Sequence, residues 1–434
     1  MEISQNMRNL CRAAENSLRD IFDDIDRISS NNTEHVLDCF REHSVSESLF
    51  AASTGYGYGD RGRDVIDSLA ASVFRAEAGF MRPSLLSGTH TIAVALFGVL
   101  RPGDVMLSIS GKPYDTLLDV IGIGEAKAGE GSLIDWGIRY DQIELKSSGY
   151  PVDLDSLAEK IREHGNSLKI VYLQRSKGYA ARPTLTTEEI TRASYYTAKF
   201  ADEAGIRCPL FMVDNCYGEF TEEYEPTVAL PGVRESRGAD LVMGSLIKNP
   251  GGGMADIGGY IVGREEPVRL CGNRLSCPGV GLDVGASLGQ NRNMIRGLFY
   301  APHTVAQAMK TAHLAAYIFE QLGYEVSPGW SERRSDIVQT VTCASPEGLE
   351  RFCRGIQSAS PIDAHVVPEA WDMPGYDDPV IMAAGAFVGG ASIELSADGP
   401  MRPPYMAFMQ GGLTYESARL AVMAAADRMI SQKQ

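Results

Sequence analysis

Val242-Met-Gly-Ser-Leu-Ile-Lys248-Asn-Pro-Gly-Gly-Gly253 is an apolar run that reads as a short strand and stops at one lysine, with Ser245 three residues before it and a glycine-rich turn after it. A surface lysine does not need such company, whereas an amine held against a bound group does. Upstream, Leu210-Phe-Met-Val-Asp214-Asn-Cys-Tyr217 is a second strand of buried type, and it ends in a carboxylate. Two strands that end in an amine and an acid define both the fold class and the candidate chemistry.

Around this pair the pattern alternates. A helix opens at Ser87-Gly-Thr-His-Thr91, a strand covers Asp104 to Ile109, a helix runs from Asp115 to Ile123, and a strand lies near Ile143. A helix from Leu154 to His164, a strand Lys169 to Leu173 and a helix from Thr187 to Ala204 lead into the two strands above. Strands alternating with helices predict an α/β domain with a mostly parallel sheet. In such sheets ligands sit beyond the carboxyl ends of the strands, where Asp214, Lys248 and the loop after Leu173 all fall. Residues 5–45 show helical spacing and predict two amphipathic helices, followed by the exposed loop Ser53-Thr-Gly-Tyr-Gly-Tyr-Gly-Asp-Arg-Gly-Arg63 and a helix from Asp64 to Gly79. A helix from His303 to Gly323 is expected to start after a break at Ala301-Pro302, and strands at Val338 to Cys343 and Ala391 to Ser396 precede a final helix from Tyr415 to Ile430. Three segments follow: 1–60 as a helical arm and interface loop, 61–300 as the large domain, and 301–434 as a smaller C-terminal domain.

With 434 residues, 44% of them hydrophobic, the chain is long enough to bury a large core. The formal net charge of -16 argues against nucleic acid and against anionic membrane surfaces. No apolar run reaches bilayer length, and Met1-Glu-Ile-Ser-Gln lacks a secretory pattern, so a cytoplasmic location is expected. Eight cysteines without zinc spacing predict free thiols and no metal site. Gly122-Ile-Gly124 carries Lys127 where a dinucleotide fingerprint needs a third glycine, and it follows a helical segment.

The strand-end pair fits a pyridoxal 5'-phosphate (PLP) site, in which a lysine forms a Schiff base and an acid faces the pyridine nitrogen. Ser87-Gly88-Thr89-His90 supplies free N–H groups at a helix start, suited to a phosphate; alone it reads as an ordinary helix cap. Tyr114, in Ser110-Gly-Lys-Pro-Tyr114-Asp-Thr116, offers a ring to cover a planar cofactor. Ser245 offers a hydroxyl to the same phosphate. Cys216 reads as a small buried strand-end residue.

These motifs, together with Gly55-Tyr-Gly-Tyr-Gly-Asp-Arg61, Leu100-Arg-Pro-Gly-Asp104, Leu173-Gln-Arg-Ser-Lys-Gly-Tyr179, Val213-Asp-Asn-Cys-Tyr-Gly-Glu-Phe220 and Met409-Gln-Gly-Gly-Leu-Thr-Tyr-Glu416, resemble the fold type I PLP enzymes of cysteine and methionine metabolism. The resemblance is strongest to the methionine gamma-lyase-like, or aluminium-resistance, branch, and it covers residues from about 50 to 420. It implies a large domain with a seven-stranded, mostly parallel sheet and a smaller α+β domain. It also implies that Lys248 binds the cofactor and later moves the α proton, and that Asp214 keeps the pyridine nitrogen protonated. Gly88, Thr89 and Ser245 would hold the phosphate, and Tyr114 would stack on the ring and serve as an acid. Tyr58 and Arg61 resemble a pair sent across a dimer interface to a neighbour's phosphate, within a tetramer built as a dimer of dimers.

Two departures bear on the substrate. Tyr58 and Arg61 are three apart rather than two, which leaves Tyr56 and Arg63 open as alternatives. Where relatives place a carboxylate-binding arginine before Leu-Ser, this chain reads Ile393-Glu394-Leu395-Ser396. Arg402 and Arg175 are then the candidates for the substrate carboxylate, with Lys177 as a further one. The expected activity is a PLP-dependent carbon–sulfur lyase that performs beta or gamma elimination on a sulfur-containing or similarly activated amino acid. The alternatives are a replacement enzyme or a specialised non-sulfur lyase of a biosynthetic pathway, and a non-catalytic binding protein on the same fold.

Overall fold

The computed structural model describes residues 3–124 and 129–431, so Lys127 lies outside the described residues. The two helices expected over residues 5–45 are α1 (Gln5–Ser17) and α2 (Arg19–Glu42). In α1 the apolar positions Met7, Cys11 and Ala14 recur on one face and are buried. The loop that follows leads into α3 (Arg61–Val73), capped by Asp60, whose carboxylate accepts from the Arg63 N–H at 2.9 Å.

The large sheet is laid down by β1 (Ala78–Arg82), α4 (Gly88–Val99), β2 (Val105–Ser108), α5 (Asp115–Ile121), β3 (Arg139–Gln142), α6 (Leu154–His164), β4 (Leu168–Gln174), α7 (Thr187–Glu203), β5 (Leu210–Asp214), β6 (Leu241–Ser245) and β7 (Gly259–Gly263). Its seven strands run in the order β1-β7-β6-β5-β4-β2-β3, parallel from β6 through β3, with β7 antiparallel to both its neighbours. Strands β4 to β6 are buried on both faces by helices, which explains their continuous apolar runs. Helix starts are set by local chemistry. Asp153 accepts from the N–H groups of Asp155 and Ser156 at α6, and Thr186 and Glu189 form a capping box at α7.

Helix α8 (Glu265–Leu275) packs against α4, and α9 (Asn291–Gln321) then leads to the smaller unit. That unit holds β8 (Val326–Ser327), β9 (Val338–Thr342), α10 (Pro346–Gln357), β10 (Val380–Ala383), β11 (Ser396–Pro400), β12 (Met406–Gln410) and α11 (Tyr415–Ile430). Its five strands are antiparallel, in the order β10-β11-β12-β9-β8. Helix α1 packs on α9 and α11, so the arm joins the core of the smaller unit. Among the described residues no helix is long and apolar enough to cross a membrane.

Three expectations are corrected. There is no break at Ala301-Pro302: α9 starts at Asn291 and carries Pro302 inside it, across the expected boundary at residue 300. An internal proline costs a helix about 3 kcal/mol. Here Met294, Ile295, Leu298, Ala301, Val305 and Met309 are buried on both sides of it, and that packing outweighs the lost bond. Residues 391–395 form a turn, not a strand, because Glu394 folds back to accept from the N–H groups of Phe387 (2.7 Å) and Val388 (2.9 Å). The helix expected to reach Gly79 stops at Val73, and Ala78–Arg82 joins the sheet as an edge strand.

Candidate active site

Strands β4, β5 and β6 end side by side, with Gln174 registered to Asp214 and Asp214 to Met243. Past β6 the chain turns, and Lys248 precedes the short 3-10 turn Asn249–Gly251. The turn is tight enough to demand glycine: a Cβ at Gly251 would stand 1.6 Å from the Leu246 carbonyl oxygen. This places Lys248 against a cavity of about 290 Å³ whose wall includes Gly88, Thr89, Tyr114, Asp214, Ser245 and Lys248.

The amine lies 4.0 Å above the ring centroid of Tyr217, a cation–π contact. Tyr217 holds the left-handed backbone value φ 74, which is costly for a residue with a side chain and sets its ring under the amine. Burial disfavours the ammonium, yet Cys216, Tyr217, Asp214 and Tyr114 surround it and together hold its proton above the ordinary range. Burial raises Asp214, while Lys248 and the N–H of Cys216, which donates to Asp214 Oδ1 at 3.1 Å, pull it back. The Tyr114 hydroxyl donates to Thr89 Oγ1 at 3.0 Å, and its N–H donates to Gln174 Oε1 at 2.9 Å, so both ends of the residue are fixed. Burial, followed by the Asp214 charge, pushes the phenol well above its ordinary value.

The residues present fit PLP. At the start of α4 the His90 and Thr91 N–H groups are taken up by Ser87, while those of Gly88 and Thr89 have no intrahelical acceptor by helix geometry. Ser245 Oγ is buried with no hydrogen-bond partner. Free donors at a helix N-terminus plus an unpaired hydroxyl suit a phosphate. A Cβ on Gly88 would come within 3.5 Å of Cys216 Sγ and 3.8 Å of Lys248 Nζ, so glycine keeps the space beside the amine open.

The arginine candidates do not line this cavity. Arg175 is fully buried beneath it, donating to Asn215 Oδ1 (2.8 Å), Glu222 Oε2 (2.7 Å) and the Leu185 carbonyl (3.2 Å), which leaves its guanidinium committed to the fold. Arg402 stands outside the wall, near the Asp115 carboxylate, and donates to Asp378 at 2.8 Å. Lys177 is buried and donates to the Ser327 carbonyl at 3.4 Å. In the loop, Tyr56 and Tyr58 stack at 5.5 Å and are exposed, as is Arg61, and none of them reaches the cavity of its own chain. Arg63 is instead buried, with its guanidinium on the Gly57 and Gly285 carbonyls at 2.8 and 3.2 Å. Apart from the cavity, Asp141, Glu163 and His164 approach one another, but Lys160 bonds to both carboxylates at 2.9 Å and offsets part of their charge.

Sequence reasoning missed Gln174, Tyr217, Asp398 and Gln410, all on the wall. The signal for the last two was present. Ser396 and Asp398 alternate on one face of β11, and β12 brings Gln410 opposite Ser396. Burial pushes Asp398 up to about 6, opposed by Tyr179, Gln410 and Lys248.

The sequence pattern of the methionine gamma-lyase family matches residues 7–430. The chain is 46% identical to Bacillus subtilis YnbB over 430 residues, 99% of this chain and 97% of that one. A Listeria monocytogenes structure, named as a cystathionine beta-lyase candidate involved in aluminum resistance, is 45% identical with a TM-score of 0.90, covering 97% of this chain and 100% of that one. Escherichia coli YhfS, a pyridoxal-5'-phosphate dependent protein, shares the fold at 14% identity with a TM-score of 0.59, over 93% of this chain and 96% of its own. The architecture is PLP-dependent fold type I.

Proposed function

Because the chain belongs to the methionine gamma-lyase family, we propose that it is a PLP-dependent lyase that breaks a carbon–sulfur bond, by beta or gamma elimination, in a sulfur-containing or similarly activated amino acid. The observation that carries this reading is the meeting in one cavity of the Lys248 amine, the Asp214 carboxylate and the unpaired Ser245 hydroxyl beside the start of α4. When bound, PLP supplies an electron sink for the charge left at the substrate's α carbon.

In this reading Gly88, Thr89 and Ser245 hold the phosphate, and Asp214 holds a proton at the pyridine nitrogen. Lys248 carries the cofactor and then moves the α proton at its Nζ. Tyr114, fixed by Thr89 and Gln174, covers the ring and presents a phenol to the leaving group; its raised pKa keeps the phenol protonated, which suits a donor more than a base. The exposed Tyr58 and Arg61 reach a neighbour's phosphate in a dimer, two of which form a tetramer in the cytoplasm.

The test is a screen of purified, PLP-loaded protein against cystathionine, methionine, cysteine and homoserine derivatives, scored for keto acid and ammonia with and without an added thiol. Elimination gives equal keto acid and ammonia; a new amino acid that retains the thiol would instead mark a replacement enzyme. No turnover of any of them, with no change in cofactor absorbance, would overturn the reading.

A further inference from the structure

A buried acid stands beside the lysine turn and has no part in the reading above. Glu219, five residues past Asp214, is fully buried. Its Oε1 accepts from the Tyr260 hydroxyl of β7 at 2.8 Å, and its Oε2 has no hydrogen-bond partner. The carboxyl is pressed against β6, the strand that leads to Lys248: a Cβ at Gly244 would stand 2.5 Å from Glu219 Oε1, so glycine makes room for it.

Asn249, the residue after Lys248, is also fully buried. Its Nδ2 donates to the Glu219 carbonyl at 2.9 Å, while its Oδ1 has no partner. That bond fixes which way the amide points, because a carbonyl only accepts. Two residues joined by one bond thus each carry an unpaired buried acceptor, an arrangement that folded chains avoid. An ionised Glu219 cannot relieve Asn249 Oδ1, since both only accept. A single proton on Glu219 can: Oε1 still accepts from Tyr260, and Oε2 becomes a donor. The surroundings favour that proton. Burial, with the Glu225 charge adding to it, pushes the acid up to about 8 against the pull of Tyr260 and Lys248. Cys216 also faces it, and Glu225 is itself tied to Asn215 and the Phe220 N–H.

We infer that Glu219 is a positioning residue for Lys248, which stands as the neutral acid and donates to Asn249 Oδ1, and so pins the start of the turn that carries the amine. This rests on the lyase reading above, in which Lys248 holds the cofactor and moves the α proton. The turn has need of a pin: Gly251, Gly252 and Gly253 follow at once, and the last two sit in the left-handed region at φ 54 and 73. Loss of the proton breaks the bond and sets two acceptors against each other beside Lys248.

Difference infrared spectra of the holoenzyme against its Glu219→Gln variant at pH 7 read the proton directly. A protonated carboxyl band is expected in the wild type alone, and in Asn249→Ala that band moves to higher frequency as its acceptor is lost. Glutamine can accept from Tyr260 and donate to Asn249, so Glu219→Gln should keep kcat within threefold for whichever amino acid the screen identifies. Glu219→Met, of similar length but without a donor, should lose at least tenfold in kcat with KM within threefold. Wild-type kcat should fall as pH rises through about 8, and the Gln variant should not fall there. Absence of the band, a band unmoved in Asn249→Ala, or a Gln variant as impaired as Met would each overturn the inference and leave the lyase reading intact. Should Glu219→Met fail to fold, the wild-type and Gln pH profiles decide: profiles that fall together overturn it. If no amino acid is turned over, the lyase reading fails, and the band with its shift alone decides the state and partner of Glu219.

Discussion

Replacing Arg175 by Met tests whether this arginine holds the fold or the substrate. Methionine keeps most of the volume and none of the charge. The change removes the bonds to Asn215 Oδ1, Glu222 Oε2 and the Leu185 carbonyl. Breaking a buried ion pair by deleting one partner costs about 3–5 kcal/mol, because the other charge is left unpaired. Here the partners are partly covered. Glu222 keeps Arg333 at 2.6 Å and the Thr187 N–H at 2.7 Å, and Glu225, which lies 4.0 Å from the Arg175 guanidinium, keeps Asn215 and the Phe220 N–H at 2.8 Å each. The low end, about 3 kcal/mol, is therefore expected. With an unfolding entropy of about 2.1 cal/mol/K per residue, 434 residues give about 0.9 kcal/mol/K, so the melting temperature falls by about 3 °C. Scanning calorimetry of the PLP-loaded protein measures this, alongside KM for whichever amino acid the screen identifies. An unchanged melting temperature with a KM raised tenfold or more would refute the structural assignment and return Arg175 to the substrate.

Ser245→Ala removes a buried hydroxyl that has no hydrogen-bond partner within the protein, and a hydrogen bond to a charged group is worth about 1.5–3 kcal/mol. PLP titration followed by absorbance should show affinity lowered by about 10- to 100-fold, and an unchanged affinity would remove Ser245 from the site. Lys248→Ala should abolish elimination and leave PLP reducible by borohydride without covalent attachment; retention of a covalent adduct would point to another lysine. His313 is buried, its Nδ1 2.7 Å from the Trp330 carbonyl, and burial lowers it from 6.5 to about 3, with Arg334 adding to the effect. Between those values the unfolded chain binds a proton that the folded chain refuses, so stability present above pH 6.5 is lost on acidification at about 1.4 kcal/mol per pH unit. Urea unfolding at pH 7 and pH 5 should differ by about 2 kcal/mol from this group, and His313→Gln should remove that part of the difference.

What could be read in the sequence was whatever burial wrote strongly. Strands β4 to β6 are covered on both faces and read as apolar runs, so their ends, and with them Asp214 and Lys248, stood out. Helices α6 and α11 matched to the residue because Asp153 and Thr414 cap them. Strand β7, Gly-Tyr-Ile-Val-Gly, was missed because glycines at both ends resemble turn signals. Pro302 misled for a related reason: local chemistry argued for a break, and contacts far apart in sequence overruled it. Arg175 sat in a motif beside the site, but only coordinates reveal that Glu222 and Asn215 claim it from beneath. Asp398 was hidden because the strand expected over Ala391 to Ser396 in fact runs from Ser396 to Pro400.

The division of the cavity wall between two sheets has a bearing on how such a protein diversifies. Substitutions within residues 380–410 reshape one side of the cavity, while Lys248 and Asp214 are held at the strand ends of the other sheet. A lineage can thus change what it accepts by drift in one segment, without revisiting the reactive machinery inherited in the other.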